Sequence, residues 1–213
     1  MVASKIFEAD AERYDCWYRE HREIFECEVK AVKALGLKGR GLSIGVGTGI
    51  LDVQAGLKFG VDPALAMLKL AAARKIESIQ SVGEYLPFKD EIFNFALMTV
   101  TFCFLNSPED VLTEIGRVLR RRGVLATCIV TRESTWGRAY MRKAREGHLF
   151  YRHAHFYTTE ELKEKLRKHS FKVVSIKTTL SYPPSALPRI EEPMDFPDGR
   201  GFVCVKAVKI DTS

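Results

Sequence analysis

The sequence predicts a mostly parallel, doubly wound α/β sheet with helices on both faces. Short apolar runs alternate along the chain with segments of helical periodicity, which is typical of strands joined by crossover helices. A glycine-rich turn at residues 45–49 directly follows the first apolar run. Residues 93–100 are almost continuously apolar, as expected of a strand buried on both faces. The length of 213 residues fits one domain, residues 1–213.

Apolar periodicity predicts an amphipathic N-terminal helix within residues 1–36, which Gly36 and Gly39 end. After the second strand, Pro63 is expected to open a helix, because proline suits the first helical position. Leu65, Leu68 and Ala72 mark the expected buried side of that helix. The other predicted elements of the first half are a strand at 42–44, the start of a helix at 50–54, a strand at 57–61 and a short strand around Ile79.

The second half contains a clear helix start at Ser107, where proline and then acidic residues follow the capping serine. Thr158 is expected to cap a further helix that carries Leu162 and Leu166. Between them, residues 131–157 have weak periodicity and many aromatic and basic side chains, so we interpret them as an insertion that acts as a lid. The remaining predicted elements are strands at 93–100, 124–130, 171–180 and 201–209.

The formal charge of +6 and the pI of about 9.1 indicate a mild preference for anionic partners without naming one. Two denser basic runs, residues 120–122 and 138–145, are expected to be solvated faces, with an RNA- or phosphate-facing patch as the alternative. The chain has no signal-peptide stretch and no apolar run near the roughly 18 residues of a membrane span. We therefore expect a cytoplasmic protein with no membrane partner.

The cysteines are five in number and form no C-x-x-C pair. The odd count and the spacing predict neither a zinc site nor a disulfide framework. We expect free thiols, which fit a reducing cytosol.

The glycine turn has the spacing G-x-G-x-G, and Ile50 stands where a dinucleotide-binding motif has its third glycine. At the carboxyl end of a parallel strand, such a turn is either a ligand cradle or a plain strand-to-helix connection. Asp62 ends the second strand, 17 residues after Gly45. Its carboxylate would accept two hydrogen bonds from a ribose diol, and it would also suit a helix cap.

Several segments together carry a more specific resemblance. They are Phe7 with Tyr14-Asp15-x-Trp17, the run Leu42-Ser43-Ile44-Gly45-Val46-Gly47-Thr48-Gly49, the run Gly60-Val61-Asp62-Pro63-Ala64-Leu65-Ala66-Met67-Leu68, the loop Gly83-Glu84-Tyr85-Leu86-Pro87-Phe88, and Glu114-Ile115-Gly116-Arg117-Val118-Leu119 before Gly123. With these segments the chain resembles the class I S-adenosylmethionine-dependent methyltransferases, in the branch that acts on small molecules. Ser43 stands where that family usually has an acid, and Val82 where many members have an aspartate for the adenine amine.

The resemblance implies a seven-stranded Rossmann-like methyltransferase fold, S-adenosylmethionine as cofactor and direct in-line displacement of its methyl group by an acceptor. It implies no metal. It places the aromatic ring of Tyr14 near the sulfonium, although a packing role for Tyr14 is as well supported. The implied cofactor-binding residues are Tyr14, Gly45, Val46, Gly47, Thr48, Gly49, Asp62, Pro63, Met67, Gly83, Glu84, Tyr85 and Thr99.

No convincing general base emerges; His155 and Tyr14 are the candidates. His153 and His155 would share a face on a strand, but with no acid beside them we expect no metal site. Cys103, which no proline precedes, is expected to be a small buried hydrophobe.

We predict a small-molecule acceptor whose specificity lies in the N-terminal helix and in residues 131–157. The alternatives are an RNA or protein methyltransferase, a non-catalytic nucleoside-binding protein and a nicotinamide dehydrogenase.

Overall fold

The computed structural model describes residues 2–195 and 199–210. Strands and helices alternate along most of the chain, after three helices at its N-terminal end. The strands are β1 (Gly41–Ile44), β2 (Phe59–Asp62), β3 (Glu77–Gln80), β4 (Phe93–Thr99), β5 (Leu119–Val130), β6 (Phe171–Thr179) and β7 (Phe202–Lys209). The helices are α1 (Val2–Ala9), α2 (Ala11–Glu20), α3 (Arg22–Ala34), α4 (Leu65–Ala73), α5 (Pro108–Val118), α6 (Thr135–Arg145) and α7 (Thr159–Lys168).

The strands form one seven-stranded sheet in the order β3-β2-β1-β4-β5-β7-β6. Strands β1 to β5 pair in parallel, whereas β7 runs antiparallel to both of its neighbours. The chain moves outward from β1 to β3 and then returns to the other side of β1 as β4. This reversal opens a crevice at the carboxyl ends of β1 and β4, where ligands of such sheets bind. The predicted doubly wound, mostly parallel fold is confirmed.

Alternate residues of the central strands enter two separate apolar cores. In β4, Ala96 and Met98 belong to the core that α5 and α7 cover. Phe95 and Leu97 belong to the core that contains Ile24 of α3 and Trp136 of α6. Since successive side chains of a strand point to opposite faces, the sheet is covered on both sides. The buried sheet is the rigid base on which the loops at the strand ends are held.

Three expectations for the first half are wrong in detail. The N-terminal segment is three helices, because the backbone leaves helical geometry at Asp10 and at His21. The helix expected at 50–54 is a single 3-10 turn, Val53–Ala55, which Gly56 ends with a left-handed φ of 76°. Helix α4 begins after Pro63, and its buried residues are Met67, Leu68 and Ala71, so Leu65 and Ala72 are exposed instead.

The second half follows the prediction more closely. The strands around 171–180 and 201–209 and the helix after Thr158 are confirmed, and Thr158 forms a reciprocal capping box with Glu161. Strand β5 begins at Leu119 rather than at 124. Residues 131–157 are more regular than expected, because Ser134 accepts a hydrogen bond from the amide of Gly137 and starts α6.

The expectation of five free thiols is wrong for Cys128 and Cys204, which form a disulfide. These residues lie directly opposite each other on β5 and β7. Because they are 76 residues apart in sequence, the spacing of the cysteines could not reveal the pairing. No helix of the described residues is both long enough and apolar enough to cross a membrane.

Candidate active site

A cleft of about 790 Å³ lies at the carboxyl ends of β1 and β4, at the point where the strand order reverses. Loops after β1, β2, β3 and β4 form its walls, and α1 and α2 contribute Phe7 and Tyr14. We call it the cofactor cleft. Its lining residues are Ser4, Phe7, Tyr14, Ile44, Gly45, Gly47, Asp62, Pro63, Met67, Ser81, Val82, Gly83, Glu84, Thr99, Val100, Thr101, Phe104 and Leu105.

The glycine turn brings bare backbone to the floor of this cleft. Gly45 has a φ of +69°, and a Cβ there would lie 2.3 Å from the Cγ2 of Thr101. The hydroxyl of Thr101 donates to the carbonyl of Gly45 over 3.1 Å, which ties the turn to the segment after β4. Gly47 has a φ of +54°, and the space that its Cβ would occupy is open. The turn therefore leaves room for a ligand to approach the backbone closely.

Asp62 lies beside the glycine turn at the end of β2. Its two carboxylate oxygens accept hydrogen bonds of 2.9 Å from the amides of Gly47 and Ala64. Burial raises the pKa of Asp62 to about 6, although both amide hydrogen bonds act in the opposite direction. A carboxylate has about four acceptor positions, so Asp62 retains capacity for a ribose diol. The cleft residues thus fit a nucleoside cofactor with an anionic acceptor beside a glycine cradle.

The structure brings nine of the thirteen predicted cofactor residues to the cleft: Tyr14, Gly45, Gly47, Asp62, Pro63, Met67, Gly83, Glu84 and Thr99. Val46 instead packs against Leu68 in a small apolar cluster, and Thr48 is buried with its carbonyl bonded to Arg74. A Cβ on Gly49 would meet Ile76, away from the cleft. The side chain of Tyr85 is 78% exposed and points to solvent.

Helix α5 holds the loop that forms the far wall of the cleft. Glu114 accepts a hydrogen bond of 2.8 Å from the amide of Leu86, and Arg117 donates to the carbonyls of Leu86 and Phe88. Arg117 also pairs with Glu114 at 2.7 Å. The two charged residues of the α5 motif therefore fix the loop after Gly83 in position.

Ser43, which replaces the family's usual acid, has a carboxylate as its neighbour. Its hydroxyl donates to Asp52 over 2.6 Å, and both side chains are buried. Burial raises the pKa of Asp52 to about 7. A buried carboxyl thus lies beside position 43, but Asp52 is not among the residues that line the cofactor cleft.

Helix α2 is tied to the glycine turn by an ionic network. The guanidinium of Arg74 donates to Asp15 over 2.8 Å and to the carbonyl of Thr48 over 2.9 Å. Arg19 also pairs with Asp15, at 2.9 Å. Burial acts to raise the pKa of Asp15, but its contacts with Thr48, Arg74 and Arg19 outweigh burial and lower the pKa. The network holds the neighbouring Tyr14 at the cleft wall.

A second cavity, of about 1,000 Å³, adjoins the cofactor cleft. Phe7, Tyr14, Val100 and Phe104 line both spaces, so the two meet at a shared wall. We call the second space the aromatic cavity. Its other lining residues are Arg13, Trp17, Tyr18, Glu28, Cys103, Val130, Tyr140, Lys143, His148, Phe150, Tyr151, Ala154 and Phe156. All of them except Cys103 and Val130 come from α2, α3 and residues 131–157, the segments predicted to carry acceptor specificity.

Ring contacts make the aromatic cavity a continuous cage. Tyr140 stacks on Tyr151 with centroids 4.2 Å apart, and His148 stacks on the other side of Tyr151 at 4.3 Å. Phe150 bridges to the shared wall, with its ring 5.9 Å from that of Tyr14. Burial raises the pKa of Tyr151 to about 12 and that of Tyr14 well above its ordinary value. These hydroxyls therefore remain protonated and can donate hydrogen bonds.

Val100, at the shared wall, has a strained backbone. Its φ of +56° lies in the left-handed region, which β-branched residues rarely adopt. Its amide donates to the carbonyl of Cys128 over 2.9 Å, which anchors the turn after β4. Such strain is commonly held at functional sites by the surrounding structure. Here the strained backbone places Val100 in the lining of both the cofactor cleft and the aromatic cavity.

The histidine candidates lie elsewhere. His155 is exposed, lines neither space and donates its amide to the carbonyl of Cys103 over 2.7 Å. His153 ends a 3-10 turn, so His153 and His155 do not share the face of a strand. Cys103 is buried, as predicted, and lines the aromatic cavity. No sequence pattern points to Glu28, Tyr18 or Tyr140, because these residues meet only through the packing of distant helices.

Known proteins match this chain over nearly its whole length. The family model described as a methyltransferase domain matches residues 42–127. An uncharacterized protein of Methanocaldococcus jannaschii is 37% identical over 96% of this chain and 99% of its own length. An uncharacterized protein of Mycobacterium tuberculosis is 36% identical over 98% of this chain and 75% of its own length. A Thermotoga maritima structure, described as an S-adenosylmethionine-dependent methyltransferase and possible histamine N-methyltransferase, has 39% identity and a TM-score of 0.93, covering 97% and 99% of the two chains.

Proposed function

Because this chain belongs to the class I S-adenosylmethionine-dependent methyltransferases, we propose that it methylates a small-molecule acceptor held in the aromatic cavity. The chain is an enzyme, and its cofactor is S-adenosylmethionine. When bound, that cofactor supplies a methyl group made electrophilic by its sulfonium. Gly45, Gly47 and Asp62 would hold its nucleoside end in the cofactor cleft.

The shared wall carries the proposal about the acceptor. Phe7, Tyr14, Val100 and Phe104 face both spaces, so an acceptor in the aromatic cavity lies next to the cofactor. Holding the two reactants in line removes a large entropic part of the barrier. The largely aromatic lining of the cavity, with a few polar side chains, is that of a small-molecule pocket.

The basic runs do not favour RNA or protein as the acceptor. Arg120 to Arg122 lie at the amino end of β5, since Leu119 pairs with Phe93 at the start of β4. The cofactor cleft is at the opposite ends of these strands. On α6, Lys143 lines the aromatic cavity rather than an open groove. The Thermotoga maritima relative also has a small-molecule description.

A methyl-transfer screen tests this proposal. The purified protein is incubated with S-adenosylmethionine carrying a deuterated methyl group and with panels of small amines, phenols, carboxylic acids and thiols. Bulk RNA and a protein extract form separate arms, and mass spectrometry detects the label. We expect label on members of a small-molecule panel only. Label on RNA or protein alone would contradict the proposed acceptor class.

A further inference from the structure

Glu28 is the one acidic side chain in the lining of the aromatic cavity. It belongs to the buried face of α3, together with Cys27, Val29 and Ala31. Glu28 is only 4% exposed, and its Oε2 has no hydrogen-bond partner among the described residues. A buried carboxyl oxygen without a hydrogen-bond partner destabilises a fold. Its position therefore indicates that it serves a ligand.

No positive group of the described residues neutralises Glu28. It takes part in none of their ion pairs. The groups that interact with it electrostatically are Tyr14 and Tyr18 on α2, Tyr140 on α6, Tyr151 in the following turn and Cys27 on α3. Arg13, Lys143 and His148 line the same cavity, and burial together with the charges of Lys143 and Arg13 lowers the pKa of His148.

We infer that the aromatic cavity binds its acceptor through a protonated nitrogen, and that the Glu28 carboxylate receives the proton which this nitrogen gives up. The inference rests on the proposed function and names its substrate class: a small amine with an apolar body. The nitrogen pairs with Glu28, and the body contacts the aromatic side chains. Glu28 is then a catalytic residue, because it touches the reacting nitrogen.

The walls of the cavity favour such a cation. Ammonium groups are attracted by the faces of tyrosine and tryptophan rings, and a charge-assisted hydrogen bond to a carboxylate adds to this attraction. Trp17, Tyr18 and Tyr140 supply such rings. A neutral alcohol would gain nothing from the charge of the Glu28 carboxylate.

The chemical step balances. An ammonium nitrogen has no lone pair, so its proton must leave first, and the free Oε2 of Glu28 takes it. The nitrogen lone pair then forms the bond to the methyl carbon while the carbon–sulfur bond breaks and its electrons stay on sulfur. The products are a methylated ammonium and S-adenosylhomocysteine, and the proton on Glu28 passes to solvent when the products leave.

The acid–base properties of Glu28 support this role. Burial raises the pKa of Glu28 to about 8, although an interaction with Tyr18 opposes the shift. Without a ligand the Glu28 carboxyl is therefore mostly protonated at neutral pH, and it ionises when an ammonium group pairs with it. Its raised pKa is closer to that of an alkylamine, which is about 10. A base works best when its pKa is near the working pH. The hydroxyls of Tyr14 and Tyr18 are 3.5 Å apart and extend from Glu28 to the shared wall.

Matched ligands test the inference by binding alone. The probes are 2-phenylethylamine and 2-phenylethanol, and tryptamine and tryptophol, each titrated into protein saturated with S-adenosylhomocysteine. We expect Glu28→Gln to bind the amines about tenfold or more weakly and the alcohols unchanged, since only the amines lose a charge-assisted contact. Glu23→Gln, an exposed glutamate on the same helix, is the control. Equal losses for amines and alcohols, or no binding of either amine, would overturn the inference.

Two further readouts separate this inference from the proposed function. Unchanged affinity of Glu28→Gln for S-adenosylhomocysteine shows that the variant is folded. In the methyl-transfer screen we expect label on amines, and the kcat/KM of Glu28→Gln should lose the ionisation that the wild type shows near pH 8. If wild type labels only phenols, acids or thiols, the amine inference fails while the proposed function stands. If wild type labels no small molecule, both fail.

Discussion

The cofactor cleft and the aromatic cavity share a wall but are built in different ways. The cleft is formed mainly by loops between residues 44 and 105, at the ends of adjacent parallel strands. The cavity is formed by side chains from residues 7 to 156, on helices that are far apart in sequence. Backbone geometry at the strand ends fixes the cleft, whereas helix packing fixes the cavity. The fold can therefore keep one cofactor site while the cavity is free to change its acceptor.

The largest expected effect comes from comparing alanine substitutions at two glycines with positive φ, Gly45 in the cofactor cleft and Gly56 away from it. Gly45→Ala places a Cβ 2.3 Å from Thr101 in the cofactor cleft. Gly56 has a similar positive φ, but the Cβ of Gly56→Ala would meet no atom within 4 Å. We expect Gly45→Ala to weaken S-adenosylhomocysteine binding by about 100-fold, because the turn must move as well as bear the strain. Gly56→Ala should bind like wild type in the same calorimetric titration. Equal effects would show that the cleft does not depend on the turn.

A second prediction concerns the aromatic cavity and the pH dependence of stability. In the folded protein the pKa of Glu28 is about 8, against 4.5 for an ordinary glutamate. Because the folded state binds this proton more tightly than the unfolded state, the contribution of Glu28 to stability is complete below pH 4.5 and is lost as pH rises through 8. Glu28→Gln avoids this loss, so its free energy of unfolding should exceed that of wild type by a few kcal/mol at pH 9 and match it near pH 4.

Urea unfolding at pH 4, 6 and 9 measures this difference. Asp52, whose pKa is also raised by burial, remains in both proteins, so its contribution cancels. Glu23→Gln should show no pH-dependent difference from wild type. A constant difference for Glu28→Gln would contradict a neutral, buried carboxyl in the cavity.

The smallest expected effect concerns the shared wall. If the ring of Tyr14 faces the sulfonium, it attracts S-adenosylmethionine, which is cationic at sulfur, more than S-adenosylhomocysteine, which is not. Tyr14→Leu should therefore lower the ratio of the two affinities by about three- to tenfold. Tyr85→Leu, at an exposed ring, should leave the ratio unchanged. An unchanged ratio in Tyr14→Leu would assign Tyr14 to packing alone.

The two regions also differ in how much the sequence reveals. The sequence predicts the doubly wound sheet, the glycine turn and Asp62, because strand periodicity and turn formation depend on residues that are close together in sequence. The breaks at Asp10 and His21 are not, since they depend on how the helices pack onto the sheet. The partnership of Ser43 with Asp52 is also hidden, because the two side chains meet across the turn.

Apart from Phe7, Tyr14 and Trp17, no residue of the aromatic cavity follows from a motif. Glu28 reads in the sequence as one of several acidic residues on an amphipathic helix, and only the packing of α2, α3 and α6 shows it to be buried and facing a cavity. The disulfide between Cys128 and Cys204 is a similar case, because strand register and not spacing brings the two residues together. Long-range pairings of side chains are the part that sequence patterns do not specify.

The central claim is that cofactor and acceptor occupy adjoining but separately built sites. Calorimetric titration of S-adenosylhomocysteine into wild type, Asp62→Ala and Glu28→Gln tests it most directly. We predict that wild type binds, that Asp62→Ala binds about 10- to 100-fold more weakly because a buried charged acceptor is lost, and that Glu28→Gln binds like wild type. Failure of wild type to bind, or equal weakening in both variants, would contradict the account.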